Sequence, residues 1–153
     1  MHEGLGELLF TMGLAVVMVG GCVLVHYEAL RGASIIMPKL TIPPRSRILF
    51  VIAAAFLAHS LEIWLMAAGF YVLAENLQLG TISGNFGGTF YEYLYYSTVS
   101  YTSLGIGDLY PTGVLRILTG VEALVGLAMI AWTGSFTYLA MEKFWHLHRT
   151  KTD

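Results

Sequence analysis

The residues whose types and spacing most clearly indicate a chemical function form one short run, from Thr102 to Pro111. It reads T-S-L-G-I-G-D-L-Y-P. Gly105 and Gly107 alternate with larger residues in this run, and glycine adopts left-handed backbone angles that a side chain disfavours. Alternating angles of this kind turn successive carbonyl oxygens toward one axis. The run therefore predicts a backbone segment whose carbonyl oxygens face one axis.

The composition places this run in a membrane protein. Of the 153 residues, 56% are hydrophobic and 12% are charged, which leaves too little polar surface for an ordinary soluble domain. Three apolar runs approach the roughly 20 residues that cross a bilayer as a helix. They are Leu8 to Val25, Ile48 to Ala74 and Ile117 to Ala140. Residues 1 to 7 carry two acids and no Lys or Arg, so we expect the first run to be retained rather than cleaved as a signal peptide.

The basic residues predict how these helices are oriented. Four of the eight Lys and Arg lie between the first and second runs, and three follow the third. They are Arg31, Lys39, Arg45 and Arg47, then Lys143, Arg149 and Lys151. Because basic loops stay in the cytoplasm, we expect a multi-pass protein of the cell (inner) membrane with its amino terminus outside and its carboxyl terminus cytoplasmic. Residues 75 to 116 then lie on the outer side.

The glycine run resembles the selectivity filter of potassium channels, whose commonest spelling is Thr-Val-Gly-Tyr-Gly-Asp. The corresponding positions here are Ser103, Leu104, Gly105, Ile106, Gly107 and Asp108. The resemblance covers residues 48 to 141 and is strongest over 89 to 126. It implies an all-α membrane protein with three transmembrane helices, a re-entrant pore helix and a filter loop, assembled as a homotetramer around one pore. A pore loop in that family enters from the outside, in agreement with the charge count.

The resemblance also implies a division of the chain. We expect a peripheral amino-terminal helix at 1–30, a cytoplasmic basic linker at 31–47, a pore domain at 48–141 and a cytoplasmic tail at 142–153. Within the pore domain we expect an outer helix at 48–74, a loosely folded turret at 75–88, a pore helix at 89–101, a filter at 102–108 and an inner helix at 114–141. Thr102 to Gly107 would coordinate K⁺ as the permeant ion, with no other metal or cofactor, and Asp108 would lie at the outer mouth.

Thr89 and Glu92 fit a capping box, which predicts the start of the pore helix. We expect the tyrosines at 91 and 93 to anchor and pack, and those at 95, 96 and 101 to form a cuff around the filter. Ile106 lacks the hydroxyl that the family usually places there, and Ser103 replaces a threonine. Both departures leave the strictness of K⁺ selectivity open.

The third helix carries the candidates for gating. Gly126 aligns with the family's hinge glycine, although close packing against a neighbour is an equally good interpretation. An apolar stripe follows at helical spacing and would line or close the cavity. It consists of Leu127, Ile130, Gly134 and Tyr138. Arg116, at the start of this helix, would meet anionic lipid or simply extend its charge to the interface.

Ionisable residues inside a membrane are functional candidates by default. His59 and Glu62 share one helix face, and Glu62 and Glu122 come out at similar depth beside the pore helix. We hypothesise a pH-sensitive network of these three residues, with the alternative that the acids satisfy hydroxyls or amides of the pore helix. His26 is expected to be solvated at the cytoplasmic end of the first helix.

These patterns favour a potassium-selective channel. A weakly selective monovalent cation channel is the first alternative, and a non-conducting scaffold or accessory subunit is the second. No nucleic-acid partner is expected. No nucleophile, base and orienting group occur together outside the membrane, so an enzyme is not expected. The first helix has no arginine at every third position, so it is not a voltage sensor, and Gly13, Gly20 and Gly21 instead predict close helix packing.

Overall fold

A computed structural model describes residues 2–145, with side chains from residue 5 onward. Its long helices are α1 (His2–Ile36), α2 (Arg47–Tyr71) and α4 (Leu115–Trp145), and a short helix, α3 (Phe90–Tyr101), lies between α2 and α4. Within the described residues, three candidate spans are long and apolar enough to cross a membrane. They are Leu5–Lys39, Pro44–Asn76 and Leu115–Trp145. The chain is therefore a predominantly helical membrane protein.

The predicted linker at 31–47 is shorter in the structure, because α1 continues to Ile36. No helix-breaking proline occurs before Pro38, which lies in a 3₁₀ turn, Met37–Lys39. A second 3₁₀ turn, Pro44–Ser46, leads into α2. At its other end α2 passes into a π-helical turn, Val72–Asn76, so the helical chain extends two residues beyond residue 74.

The expectation of an all-helical chain needs one correction. Two three-residue strands, β1 (Ile82–Gly84) and β2 (Leu109–Pro111), pair antiparallel with Ile82 opposite Pro111 and Gly84 opposite Leu109. The turret is therefore tied to the chain that follows residue 108 instead of being loosely folded. Gly84 has a φ of 110°, and a side chain there would overlap the Asp108 carbonyl, so glycine permits this close approach.

The main core joins all four helices. Its largest fully buried side chains include Phe70 on α2, Tyr93 and Tyr101 on α3, and Leu115 and Leu118 on α4. A smaller cluster of Met37, Val51 and Ala140 lies near the opposite ends of α2 and α4. The short helix α3 is thus held on several sides, which fixes the position of the segment that follows it.

The first helix packs along α2. Gly21 lies against the Leu65 side chain, and Gly69 of α2 lies against Met18, so small residues bring the two helices close. The prediction of close packing is correct for Gly21. It is wrong for Gly13 and Gly20 within this chain, since a Cβ at either position would meet nothing within 4 Å. Those two residues lie on the outward face of α1.

Candidate functional site

Helix α3 begins at the predicted capping box. The Glu92 carboxylate accepts hydrogen bonds from the backbone N–H groups of Thr89, at 2.9 Å, and Gly87, at 2.6 Å. These contacts satisfy amide groups at the helix start that have no partner inside the helix. The same two amides hold the pKa of Glu92 below its usual value, because they stabilise the charged carboxylate.

The lowered pKa of Glu92 makes this helix start sensitive to acid. The Glu92 carboxyl has a lower pKa in the folded chain than in the unfolded chain. Its contribution to the stability of the helix start is therefore complete at pH values above the ordinary pKa of glutamate, and it is lost as pH falls through the lowered pKa. We expect the protection of the Thr89 and Gly87 amides from hydrogen exchange, measured relative to the unfolded-chain rate at the same pH, to fall on acidification. Glu92→Ala should show little protection of these amides at every pH. An acid response of equal size in the variant would contradict this assignment.

The chain turns directly from α3 into residues 102–108. The N–H groups of Thr102 and Ser103 donate to the carbonyls of Thr98, at 3.2 Å, and Ser100, at 2.9 Å. Those of Leu104 and Gly105 donate to the carbonyl of Val99, at 3.0 and 3.4 Å. Carbonyls that α3 leaves free at its last turn are therefore bonded by the segment itself, which anchors its inner end.

The sign of the backbone angle φ alternates along this segment. Ser103, Gly105 and Gly107 have φ of 57°, 55° and 86°, so every second residue is left-handed. The sequence predicted such angles at the two glycines, and the structure adds Ser103, where a side chain makes them strained. Leu104 and Ile106 are 66% and 58% exposed in the single chain. The middle of the segment is thus uncovered, and its left-handed residues alternate with residues that do not have a positive φ.

The outer end of the segment is anchored separately. The Asp108 carbonyl accepts a hydrogen bond from the Asn85 N–H at 3.1 Å, beside the pairing of β1 with β2. The Asp108 carboxylate accepts one from the Tyr95 hydroxyl at 3.0 Å. Both its backbone and its side chain are therefore held, and α3 supplies a contact at each end of the segment.

The tyrosines of α3 have distinct partners. Tyr95 of the predicted cuff donates a hydrogen bond to residues 102–108, at the Asp108 carboxylate. Tyr96 bonds instead to the Thr119 hydroxyl of α4, at 2.7 Å, and Tyr101 bonds to Glu62. Tyr93 is buried and donates to Glu75 at 2.6 Å, whereas Tyr91 is 78% exposed. Most of these rings therefore fasten α3 to its neighbours.

The α4 residues predicted for gating fall on two faces. Gly126 is buried, and a Cβ there would overlap the backbone carbonyl of Tyr101, which supports close packing as its role. The predicted stripe lies on a face that the chain leaves uncovered. Its larger members, Leu127, Ile130 and Tyr138, are 53%, 43% and 49% exposed, and a Cβ at Gly134 would meet nothing within 4 Å. Arg116 is exposed at the beginning of the helix.

A closed ring of side chains lies beside the end of α3. The Glu62 carboxylate contacts His26 Nδ1 at 3.0 Å through one oxygen and the Tyr101 hydroxyl through the other. The Tyr101 hydroxyl contacts His59 Nδ1 at 2.9 Å. Thr133 Oγ1 lies 3.0 Å from His59 Nε2 and 3.2 Å from His26 Nε2, which closes the ring. Each of the four helices contributes at least one member.

The ring corrects part of the proposed network. His59 and Glu62 do share a face, with His59 Nδ1 3.5 Å from the carboxylate. Glu122 is outside the ring, because its carboxylate accepts from Ser97 of α3 and its second oxygen has no partner among the described side chains and backbone. Glu62 and Glu122 both contact α3, in agreement with their predicted depth. They bond different residues of that helix, Tyr101 and Ser97 respectively.

His26 and Thr133 were missed as members of this site. His26 was expected to be solvated, whereas it is fully buried, with its Nδ1 3.0 Å from the Glu62 carboxylate. Its burial follows from the length of α1, which continues ten residues past His26 and so keeps it inside the bundle. One feature of the sequence could have indicated this burial: His26 lies well before Pro38, the first helix-breaking proline of the chain.

Comparison with known proteins identifies the family of the chain. A family model described as ion channel matches residues 48–143, well over half of the 153 residues. No curated protein and no solved structure matches the chain. The match begins at residue 48, where the resemblance to a channel pore domain was expected to begin. The chain therefore belongs to this ion channel family and is a channel rather than an enzyme.

Proposed function

We propose that the protein is a potassium-selective channel that passes K⁺ passively through a central pore formed by four copies of the chain. The observation that carries this proposal is the backbone of residues 102–108. Left-handed backbone angles at every second residue are suited to directing successive carbonyls to one side. Hydrogen bonds at both ends hold the segment in place, while its middle is uncovered. Carbonyl oxygens in such a row can replace the hydration shell of a cation.

Four copies supply what one chain lacks. Irregular backbone at membrane depth is tolerated only where protein buries it or water lines it, and here the chain covers residues 102–108 from one side. The exposed stripe of α4, with Leu127 and Ile130, provides a second face for lining a shared cavity. The carboxyl ends of four α3 helices, each with a partial negative charge, would favour a cation in that cavity.

In this proposal the membrane is the cell membrane and the amino terminus is outside, as the basic residues predict. Asp108 then faces the outer mouth, held by Tyr95, and Arg116 lies at the outer interface, where it would meet anionic lipid headgroups. K⁺ is the transported ion, and the function needs no resident cofactor.

Selectivity is tested with the purified chain in liposomes. We expect K⁺ to pass and Na⁺ to be excluded, because coordination depends on backbone oxygens that every residue supplies, including Ile106 and Ser103. The reversal potential in mixed solutions should follow the K⁺ gradient. Equal permeability would favour the weakly selective cation channel, which the missing hydroxyl at Ile106 suggests. Absence of flux from a folded tetramer would favour a non-conducting scaffold.

A further inference from the structure

The ring of His26, Glu62, Tyr101, His59 and Thr133 has five contacts, and each needs one hydrogen between its two heavy atoms. The hydroxyls of Tyr101 and Thr133 supply one hydrogen each, and each neutral imidazole supplies one. An ionised carboxylate supplies none. A ring with an ionised Glu62 and two neutral histidines is therefore one hydrogen short, and one of its contacts joins two acceptors.

One added proton corrects both the hydrogen count and the charge. Placed on Glu62 or on an imidazole, it provides the fifth hydrogen and brings the net charge of the ring from minus one to zero. His26 and Glu62 are fully buried, so an unmade hydrogen bond and an uncompensated charge are both costly at this position. The hydrogen-bonding geometry by itself thus favours the proton-loaded ring.

We propose that this ring is a binding site for a single proton, shared by the four helices, and that releasing the proton loosens the end of α3 and lowers conduction. Tyr101 is the last residue of α3 and immediately precedes the 102–108 segment. His26 is the contribution of α1, so the ring gives the amino-terminal helix a part in control. The effect on conduction rests on the proposed channel function, whereas proton binding does not.

One side of the ring borders a mainly apolar cavity. The cavity has a volume of about 360 Å³, and its lining includes His59, Tyr101, Thr102 and Thr133. His59 is 17% exposed, whereas His26 is fully buried. In this proposal the proton enters at His59, the more exposed of the two imidazoles, and passes to the other members through the bonds of the ring.

Few other ionisable groups face the ring within the described residues. The thiol of Cys22 on α1 and the carboxyl of Glu122 on α4 are near enough to interact electrostatically with Tyr101. The Glu62 carboxylate lies 3.0 Å from His26 Nδ1 and 3.5 Å from His59 Nδ1, and both imidazoles are members of the ring. The ring's charge is consequently set mainly by its own proton.

Glu62→Gln provides a matched mimic of the loaded state. The glutamine amide has the shape of a protonated carboxyl group and permanently supplies the fifth hydrogen. With all five contacts made in one direction around the ring, the two imidazoles must be neutral and must carry their hydrogens on different nitrogens. Nitrogen-15 NMR of labelled histidine distinguishes imidazolium and both neutral forms, so it reads the ring directly.

The decisive measurement is histidine NMR and infrared spectroscopy of the membrane-reconstituted full chain from about pH 5 to about pH 9. At neutral pH we expect one ring imidazolium or a protonated carboxyl band that is absent from Glu62→Gln, and loss of that proton as pH rises. Glu62→Gln should keep two neutral imidazoles throughout. Two neutral ring imidazoles with an ionised Glu62 in the wild type at neutral pH would overturn the proposal, even if the variant fails to fold.

Flux provides the second measurement. Wild-type flux should fall on the order of tenfold as pH rises, as expected for one unmade buried hydrogen bond. Glu62→Gln should lose this response, and Glu122→Gln, a matched control outside the ring, should keep it. The reverse pattern would overturn control by the ring. If no chain conducts, the channel function fails, while the spectroscopic result still decides proton binding.

Discussion

Replacing Gly107 by alanine is expected to abolish cation flux while leaving the chain folded. Gly107 has a φ of 86°, where alanine is strained by about 1–2 kcal/mol, and its neighbours leave open space around it. The strain is relieved by rotating the adjacent peptide units, which turns their carbonyls out of the row. Flux from liposomes should fall to background, with thermal unfolding changed only slightly.

Gly88 provides the control for this variant. It has a φ of 82°, and a Cβ there would also meet nothing within 4 Å, but it lies before α3 and outside residues 102–108. Gly88→Ala therefore carries the same backbone strain and should retain flux. Equal flux from the two variants would show that the carbonyl row does not conduct the ion.

Replacing Gly126 by alanine is expected to destabilise the whole bundle. The added Cβ would overlap the carbonyl oxygen and carbon of Tyr101, and backbone atoms cannot move aside as the end of a flexible side chain can. Overpacking of this kind costs about 1–3 kcal/mol. The shift would also displace Tyr101 from the ring, so we expect both a lower unfolding temperature and reduced flux.

Gly20→Ala is the matched control, since it places the same methyl group on a membrane helix at an outward position with open space around it. It should not lower the unfolding temperature. If Gly126→Ala were equally harmless, the contact between α4 and the end of α3 would be incorrect. Reduced flux with unchanged stability would instead support the hinge interpretation of Gly126.

Features with local causes could be predicted from the sequence. Three apolar runs predicted three long helices, and Thr89 with Glu92 predicted where α3 begins, because capping involves residues only three positions apart. The left-handed glycines of residues 102–108 were predictable for the same reason. The pairing of β1 with β2 was not, since three-residue strands have too little pattern to distinguish them from loops.

The candidate site also has features that the sequence determined and features that it did not. The sequence by itself determined that the protein belongs in a membrane, that a glycine run follows a capped helix, and that His59 and Glu62 share one face, since periodicity and residue type suffice for each. Only the tertiary structure decided that His26 and Thr133, 107 residues apart, meet beside Tyr101. It also separated Glu122 from that ring. Contacts between distant segments depend on how the helices pack and on where α1 ends. They could not be predicted from the sequence, because many different packings are compatible with the same helical periodicity.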